Sequence, residues 1–132
     1  MIEEIEHTAD AGIRVKAESL EELFYDAAKG MLELIIEDDG SSPDKEIKIK
    51  LKANSIEKLL IKFLSEILFH VQDEYNNPRK LKINRIKKNR IEATLMVNNN
   101  NAQTGEIKNV TYHNFKLEKV DSGWICEIIF DL

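Results

Sequence analysis

A strand-like segment that leads directly into an amphipathic helix is the feature that most restricts how this chain can fold. Residues 12–17 alternate apolar and polar side chains, which is the period of a half-buried strand. Ser19 and Glu22 then form the capping-box pair that marks a helix start, and apolar residues recur at helical spacing as far as about Glu37. This segment therefore predicts a strand followed by a helix.

The same arrangement occurs a second time. Residues 47–53 alternate like a strand, and a second helical pattern extends from Ser55 to about Asp73. The sequence of residues 17–23 also resembles that of residues 53–59. We interpret the two strand-helix units as an internal duplication, with too few copies to build a solenoid.

The last third of the chain predicts β-structure, because it is rich in strand-forming residues separated by asparagine or glycine turns. The predicted strands are Leu81–Ile86, Arg90–Val97, Ile107–Val120 and Trp124–Leu132. The expected fold is α+β, a two-layer sandwich formed by residues 1–132 as a single domain. In it, two main helices cover one face of a mixed sheet, and the duplicated units precede a β-meander. The run Asn98–Asn101 lacks apolar anchors and predicts a mobile loop.

The charge balance restricts the class of partner. Among 132 residues, 19 basic and 24 acidic side chains give a formal net charge of -5 and a pI of about 5.3. Basic groups that displace counterions supply most of the affinity for nucleic acids. The composition therefore predicts no stable direct binding to nucleic acid and favours a protein partner or a cation.

Cysteine content and hydropathy predict the compartment. Cys126 is the single cysteine, which excludes a disulfide within the chain and a cage of thiolate metal ligands. The segment Met1–Asp10 is acidic, unlike a signal peptide, and no apolar run approaches the roughly 20 residues of a membrane span. We expect a soluble protein in the cytoplasm.

Acidic residues at both ends of the chain are candidates for a cation site. Asp10 stands ahead of the first predicted strand, and Asp131 stands beside the terminal carboxylate of Leu132. Such hard oxygen ligands suit Ca²⁺ or Mg²⁺, and Asp10 could complete the set if the first and last strand regions are neighbours. The alternatives are that Asp10 forms a turn before Gly12 and that Asp131 is the solvated end of an edge strand.

A polar segment near the end of the chain offers groups that could contact a phosphate or an acidic partner. Lys108, Tyr112 and His113 lie among strand-forming residues there, although a single lysine on a strand is usually solvated. His7 and His70 add no metal-binding spacing, and His70 fits a structural role in the second helix. The sequence contains no glycine-rich phosphate loop, nucleophile elbow or paired histidines on a helix, so an independent enzyme is not expected.

Three sequence motifs resemble those of the archease family. Members of that family open with His-Thr-Ala-Asp-x-Gly, carry Ile-Lys-x-Val-Thr-Tyr-His near the end, and finish on Phe-Asp-aliphatic. The matching residues are His7, Thr8, Ala9, Asp10 and Gly12; Ile107, Lys108, Val110, Thr111, Tyr112 and His113; and Phe130, Asp131 and Leu132. The order of the motifs and the length of the chain also agree, so the resemblance covers essentially the whole sequence.

The resemblance implies a divalent-cation site. Its ligands would be Asp10, Asp131 and the terminal residue Leu132, with Ca²⁺ as the usual ion and Mg²⁺ or Mn²⁺ as the other candidates. Lys108 matches the second family motif and is a candidate contact to phosphate or to a partner protein, together with the motif residues His7 and Tyr112.

The resemblance also implies a role as an activator and not as an enzyme. Archeases promote guanylylation and multiple turnover of the RtcB-type ligase that joins tRNA halves, and they can broaden the nucleotide that this ligase accepts. Two other functions stay open. One is a small chaperone or specificity modulator of a tRNA methyltransferase, and the other is a metal-dependent hydrolase, for which the sequence offers no general base beside the site.

Three features depart from the family pattern. Asn114 stands where relatives commonly have glycine, although asparagine tolerates a left-handed backbone. Residues 98–104 lack a histidine that many relatives have, and residues 73–79 differ from the usual acid-containing loop. Contacts made through these segments are therefore not implied by the resemblance.

Overall fold

A computed structural model describes residues 1–6, 10–110, 112 and 115–132, with Glu6 and Asp10 described by their backbone alone. In these ranges the chain forms eight strands, two α-helices and a π-helical turn. The strands are β1 Ile2–Glu6, β2 Asp10–Ala17, β3 Lys45–Lys52, β4 Asn77–Lys87, β5 Arg90–Asn98, β6 Asn109–Val110, β7 Lys116–Val120 and β8 Gly123–Asp131. The helices are α1 Leu20–Glu33 and α2 Ile56–Leu68, and the π-helical turn Phe69–Asp73 follows α2 directly.

The larger sheet has the strand order β1-β2-β8-β6, and β7 also pairs with β8. Each of these pairs is antiparallel, and Ile13 of β2 lies opposite Ile128 of β8. Successive residues of a strand point to opposite faces. Cys126, Ile128 and Phe130, which alternate along β8, are accordingly buried on the core side of that strand.

The smaller sheet has the strand order β3-β5-β4, and both of its pairs are antiparallel. The α+β class is confirmed, but the single mixed sheet is a wrong prediction, because the described residues form two antiparallel sheets. The predicted β-meander is divided as well: β4 and β5 form a hairpin in the smaller sheet, and β7 and β8 form one in the larger. The predicted strand Ile107–Val120 is not continuous: among its described residues, Asn109–Val110 and Lys116–Val120 form strands β6 and β7, whereas Tyr112 and Phe115 belong to neither.

Both helices begin where the sequence predicts. The hydroxyl groups of Ser19 and Ser55 cap α1 and α2 by accepting hydrogen bonds from the backbone N–H groups of Glu22 and Lys58. α1 ends earlier than predicted, whereas α2 and the π-helical turn together reach the predicted end. Each helix contacts both sheets, because α1 packs against β2 and β4 and α2 packs against β3 and β6. Over the residues that the structure describes, no helix is both long enough and apolar enough to cross a bilayer.

A hydrophobic core lies between the helices and the sheets. Phe24 of α1 and Phe63 of α2 are fully buried, and their ring centroids are 5.7 Å apart. Ile13 and Ile128 of the larger sheet and Leu95 of the smaller sheet belong to the same buried cluster. Complete burial of one such aliphatic or aromatic side chain is worth roughly 1.5–3 kcal/mol. The shared core therefore joins the two sheets into one packed unit.

The run of asparagines is anchored at its first residue. Asn98 is only 5% exposed. Its amide group donates to Ser41 Oγ at 2.7 Å and to the carbonyl of Ser42 at 2.9 Å, and its Oδ1 accepts from Asn77 Nδ2 at 2.9 Å. The prediction of a mobile loop is therefore wrong for Asn98, because hydrogen bonds to distant residues hold it where apolar anchors are missing.

Candidate metal and partner site

Three sequence segments meet at the carboxyl end of β8. In the backbone register, Asp10 of β2 lies opposite Asp131 of β8, and Asn109 of β6 lies opposite Asp131 from the other side. The N–H of Lys108 donates to the carbonyl of Asp131 at 2.7 Å. The fold thus brings the beginning of the chain, its end and the Lys108 segment together.

Asp131 lies on an inner strand of the larger sheet. β8 pairs with β2 on one side and with β6 on the other. The alternative in which Asp131 is the solvated end of an edge strand is therefore excluded. Asp131 is partly exposed and Leu132 is 46% exposed, so the chain terminus is accessible beside the register position of Asp10.

Gln72 of the π-helical turn holds the segment that carries Lys108. The N–H of Ile107 donates to Gln72 Oε1 at 2.7 Å, and Gln72 Nε2 donates to the carbonyl of Ile107 at 2.8 Å. The side-chain amide thus pairs with the backbone as a neighbouring strand would. Because the Ile107 side chain is fully buried, both backbone and side chain fix the place from which the exposed Lys108 projects.

Gly12 allows close packing beside the acidic residues. A Cβ added at Gly12 would lie 2.6 Å from Cδ1 of Ile129 and 2.9 Å from the carbonyl oxygen of Ile128. A side chain at this position would push β2 away from β8, two residues from Asp10 and at the strands that also carry Asp131. This glycine therefore has a packing role in keeping the two strands in register.

An ion pair joins β2 and β8 at a position farther from Asp10 and Asp131. Arg14 Nε donates to Glu127 Oε1 at 2.8 Å, Arg14 Nη2 donates to the same oxygen, and Arg14 Nη1 lies 3.5 Å from a carboxylate oxygen of Glu3. The hydrogen bond from Arg14 lowers the pKa of the Glu127 carboxyl group, desolvation opposes this shift, and the charge of Arg14 adds to it. Arg14 is thus paired within the sheet.

The other predicted site residues lie elsewhere or cannot be placed. Tyr112 is 53% exposed and lines a shallow depression with Lys58 and Lys62 of α2. His70 lies in the π-helical turn with Nδ1 2.5 Å from Glu74 Oε1, which agrees with the structural role expected from the sequence. His7, Thr8, Ala9, Thr111, His113 and Asn114 lie outside the described residues.

The donor chemistry at the end of β8 suits a hard cation. The carboxylate of Asp131 offers oxygen donors of the kind that Ca²⁺ and Mg²⁺ prefer. Among the side chains that the structure describes, which do not include that of Asp10, no three His, Cys, Asp or Glu residues group closely enough to hold a metal. Burial raises the pKa of the Cys126 thiol to about 12, so this residue supplies no thiolate for a soft metal.

The sequence marks the acidic residues as candidates but does not reveal what holds them in place. Gln72 belongs to a helical pattern and contacts Ile107, which is remote in sequence, so no local signal points to the contact. A glycine inside a strand pattern does signal close approach of another chain segment. At Gly12 that signal is present, but it does not reveal that Ile128 and Ile129 are the neighbours.

The fold and this site define a class of small α+β proteins in which residues from both ends of the chain meet across two antiparallel strands. The profile of the Archease protein family matches residues 2–132. The chain belongs to the archease family, which confirms the resemblance seen in its motifs.

Relatives match the chain over nearly its full length. The archease of Methanopyrus kandleri is 34% identical over 137 residues, which cover 98% of each protein. The archease of Methanosarcina mazei is 29% identical over 98% of this chain and 94% of its own length. The solution structure of protein 1598 from Methanobacterium thermoautotrophicum has a TM-score of 0.79 at 27% identity and covers 99% of this chain and 98% of its own. A crystal structure of an archease from Thermotoga maritima, described as a possible chaperone, shares the fold with a TM-score of 0.68 at 24% identity, covering 100% of this chain and 98% of its own.

Proposed function

We propose that this chain activates an RtcB-type RNA ligase in tRNA splicing by promoting its guanylylation and multiple turnover, and that it broadens the nucleotide the ligase accepts. The observation that carries the proposal is the meeting of the three family motifs at one end of the larger sheet. Asp10 is in register with Asp131, and the N–H of Lys108 donates to the carbonyl of Asp131. The chain would act as a protein cofactor, with the covalent chemistry left to the ligase.

The proposed metal ligands are Asp10, Asp131 and the terminal carboxylate of Leu132. Residues directly opposite each other in an antiparallel pair have Cβ atoms roughly 4.5–5.5 Å apart. That register is compatible with two carboxylates sharing one Ca²⁺, and Mg²⁺ or Mn²⁺ would accept the same oxygen donors. A bound divalent cation supplies positive charge that neutralises nucleotide phosphate groups.

The contribution of the chain itself is to hold these groups in a fixed arrangement. Asp131 is paired on both sides, and Gln72 fixes the backbone that precedes Lys108. Phosphoryl-type transfer depends mainly on positioning and charge neutralisation, which rigidly held groups at the end of β8 can provide. We expect this end of the larger sheet to enter the ligase active site, where Lys108 and His7 would contact the phosphate or the ligase. Tyr112, which lines the depression beside α2, would contact the ligase outside that active site.

The test is guanylylation and multiple-turnover joining by the cognate ligase, with the chain left untagged at its carboxyl end. Asp10→Ala and Asp131→Ala should each abolish the stimulation while the proteins stay folded, and Lys108→Ala should reduce it. Asp121→Ala is the matched control, because Asp121 is an exposed acid in the turn at the opposite end of β8. This variant should stimulate the ligase as the wild type does.

The outcomes separate the candidate functions. Failure of the folded wild type to stimulate the ligase would overturn the proposal. A folded wild type without effect on the ligase would favour a chaperone or a specificity modulator of a tRNA methyltransferase, for which the metal is dispensable. Stimulation that both aspartate variants retain would exclude the proposed metal site from the activation. Turnover of phosphoester substrates by the chain alone, with Mg²⁺, Mn²⁺ or Ca²⁺, would point instead to a metal-dependent hydrolase.

A further inference from the structure

The fold separates the charges of this chain into two regions. Residues 45–52 and 77–98, which include the whole smaller sheet, contain 11 of the 19 Lys and Arg residues but only 2 of the 24 Asp and Glu residues. The rest of the chain therefore holds 8 basic against 22 acidic residues. The net charge of -5 is therefore the sum of a strongly basic sheet and a strongly acidic remainder.

Eight of these eleven basic side chains lie on the outer face of that sheet, opposite the core, and Lys88 lies in the turn between β4 and β5. On this outer face the strand register forms four rows across β3, β5 and β4. These rows are Glu46–Met96–Lys80, Lys48–Thr94–Lys82, Lys50–Glu92–Arg85 and Lys52–Arg90–Lys87. We call the basic face the set of exposed residues Lys48, Lys50, Lys52, Lys80, Lys82, Arg85, Lys87, Lys88 and Arg90.

Few acids neutralise the basic face. Glu92 lies 3.5 Å from Lys50 Nζ, and Glu46 lies 3.5 Å from Lys48 Nζ. In the described part of the chain, the remaining members of the basic face form no salt bridge within 4.0 Å. Like charges directly opposite each other destabilise a sheet, so the charges of the row Lys52–Arg90–Lys87 should lower the stability of the folded sheet.

The turn between β4 and β5 adds a second local conflict. Lys88 and Asn89 both have positive φ, at 51° and 61°. Two-residue hairpin turns of this shape favour asparagine and glycine, because other side chains are strained there. Lys88 therefore places a charge at the end of the basic face against its own backbone preference, and such local conflicts are expected at functional sites.

The composition of the basic face favours a nucleic-acid backbone over a protein partner. The cores of protein interfaces are enriched in aromatic residues and depleted in lysine. The outer face of this sheet has no aromatic residue, and Met96 is its one large apolar side chain among the outward positions of the register. Clustered Lys and Arg without stacking groups suit phosphates, which are contacted independently of base sequence.

We propose that the basic face binds the phosphate backbone of RNA independently of sequence and so holds the ligase substrate beside this chain. The choice of RNA rests on the proposed function, whereas the phosphate binding rests on the sheet alone. The acidic residues at the carboxyl end of β8 would then contact the ligase, and the basic face would bind its RNA.

The test measures binding of a short fluorescent single-stranded RNA by anisotropy, without any ligase, across a range of salt concentrations. The row variant Lys52→Gln/Lys87→Gln/Arg90→Gln should weaken binding at least tenfold at about 50 mM salt. The slope of the logarithm of its binding constant against the logarithm of the salt concentration should become less steep by about 2, since each lost phosphate contact removes about 0.7 from the slope. The row variant should also melt at an equal or higher temperature than the wild type, because it relieves repulsion.

The matched control is Lys16→Gln/Lys29→Gln/Lys119→Gln, which removes the same charge from exposed positions outside the smaller sheet. It should bind RNA as the wild type does. Absence of RNA binding by the wild type, equal weakening by the control, or equally tight binding of polyglutamate would each overturn the inference. Because guanylylation joins a nucleotide to the ligase itself and RNA is not one of its reactants, the row variant should still stimulate that step. Loss of RNA binding with normal guanylylation thus leaves the proposed function standing.

Discussion

Asp39 sits in a network of hydrogen-bond donors that changes its acidity. It accepts bonds from Ser41 Oγ at 2.5 Å, from the N–H of Ser41 at 2.9 Å and from Asn100 Nδ2 at 3.2 Å. These bonds, the Ser41 hydroxyl first, lower the pKa of the Asp39 carboxyl group from 3.8 to about 2. The folded state therefore favours the charged form of Asp39.

Acid should weaken the fold partly through this residue. A lowered pKa in the folded state gives stabilisation that is complete above about pH 4 and is lost as the pH falls towards 2. Asp39→Asn should reduce stability at pH 7 and flatten the dependence of Tm on pH between 4 and 2. Thermal melts across this range measure the effect, with Asp121→Asn as a control at an exposed turn. Equal flattening in both variants would contradict the role of the Asp39 network.

A side chain in place of Gly12 should destabilise the fold. Gly12→Ala would place a Cβ 2.9 Å from the carbonyl oxygen of Ile128, and backbone atoms cannot move as a flexible side chain can. We expect a loss of roughly 1–3 kcal/mol in the free energy of unfolding, the usual cost of overpacking. Urea denaturation measures the change. Gly105→Ala is the control, because its Cβ would lie 3.4 Å from the nearest atom, and a loss as large there would refute the packing explanation.

Local motifs in the sequence point to candidate site residues but not to the residues that support them. Asp10, Asp131 and Lys108 stand in motifs with recognisable chemistry, and the backbone register brings all three segments together. Gln72 carries no such mark, because its role exists only once Ile107 has folded against it. A polar side chain in a helical pattern is usually solvated, so only tertiary structure distinguishes Gln72 from its neighbours.

Gln72 connects the π-helical turn to Ile107, which lies two residues before β6. Gln72→Ala would leave the N–H and carbonyl of the buried Ile107 without their partner. Unpaired buried polar groups cost about 1–3 kcal/mol, so we expect a loss of that size in the free energy of unfolding. Hydrogen exchange should also show a faster-exchanging amide at Ile107.

A second glutamine provides the control for that prediction. Gln103 is exposed, and its Nε2 donates to the carbonyl of Gly105 at 3.0 Å. Gln103→Ala should change stability by less than about 0.5 kcal/mol, as most surface substitutions do. An unchanged Ile107 amide in Gln72→Ala would show that the segment is held by its side-chain packing alone.

Secondary structure could be predicted from local patterns, but the pairing of strands could not. Ser19 and Ser55 mark both helix starts because a capping side chain acts within its own turn. The hairpin β4-β5 and the hairpin β7-β8 look equivalent in sequence, yet they belong to different sheets. That assignment depends on contacts of both helices with both sheets, which no single segment encodes.

The proposed cation should stabilise the whole molecule, because it would join the two ends of the chain. A ligand that binds only the folded state at 100 times its Kd adds about 2.7 kcal/mol to the free energy of unfolding. For a chain of this size such a gain raises Tm by roughly 5–15 °C. Differential scanning calorimetry with Ca²⁺ against a chelator measures the shift, which Asp131→Ala should abolish and Asp121→Ala should retain.

A short extension after Leu132 tests the terminal carboxylate separately from the aspartates. Adding Gly-Ser moves the charged terminus away while Asp10 and Asp131 stay in register. If the terminal carboxylate is a ligand, the extended chain should need more Ca²⁺ for the same rise in Tm, and its melting in chelator should match the wild type. A Ca²⁺ response identical in both chains would remove Leu132 from the ligand set. A response in Asp131→Ala equal to that of the wild type would place the cation elsewhere on this acidic chain.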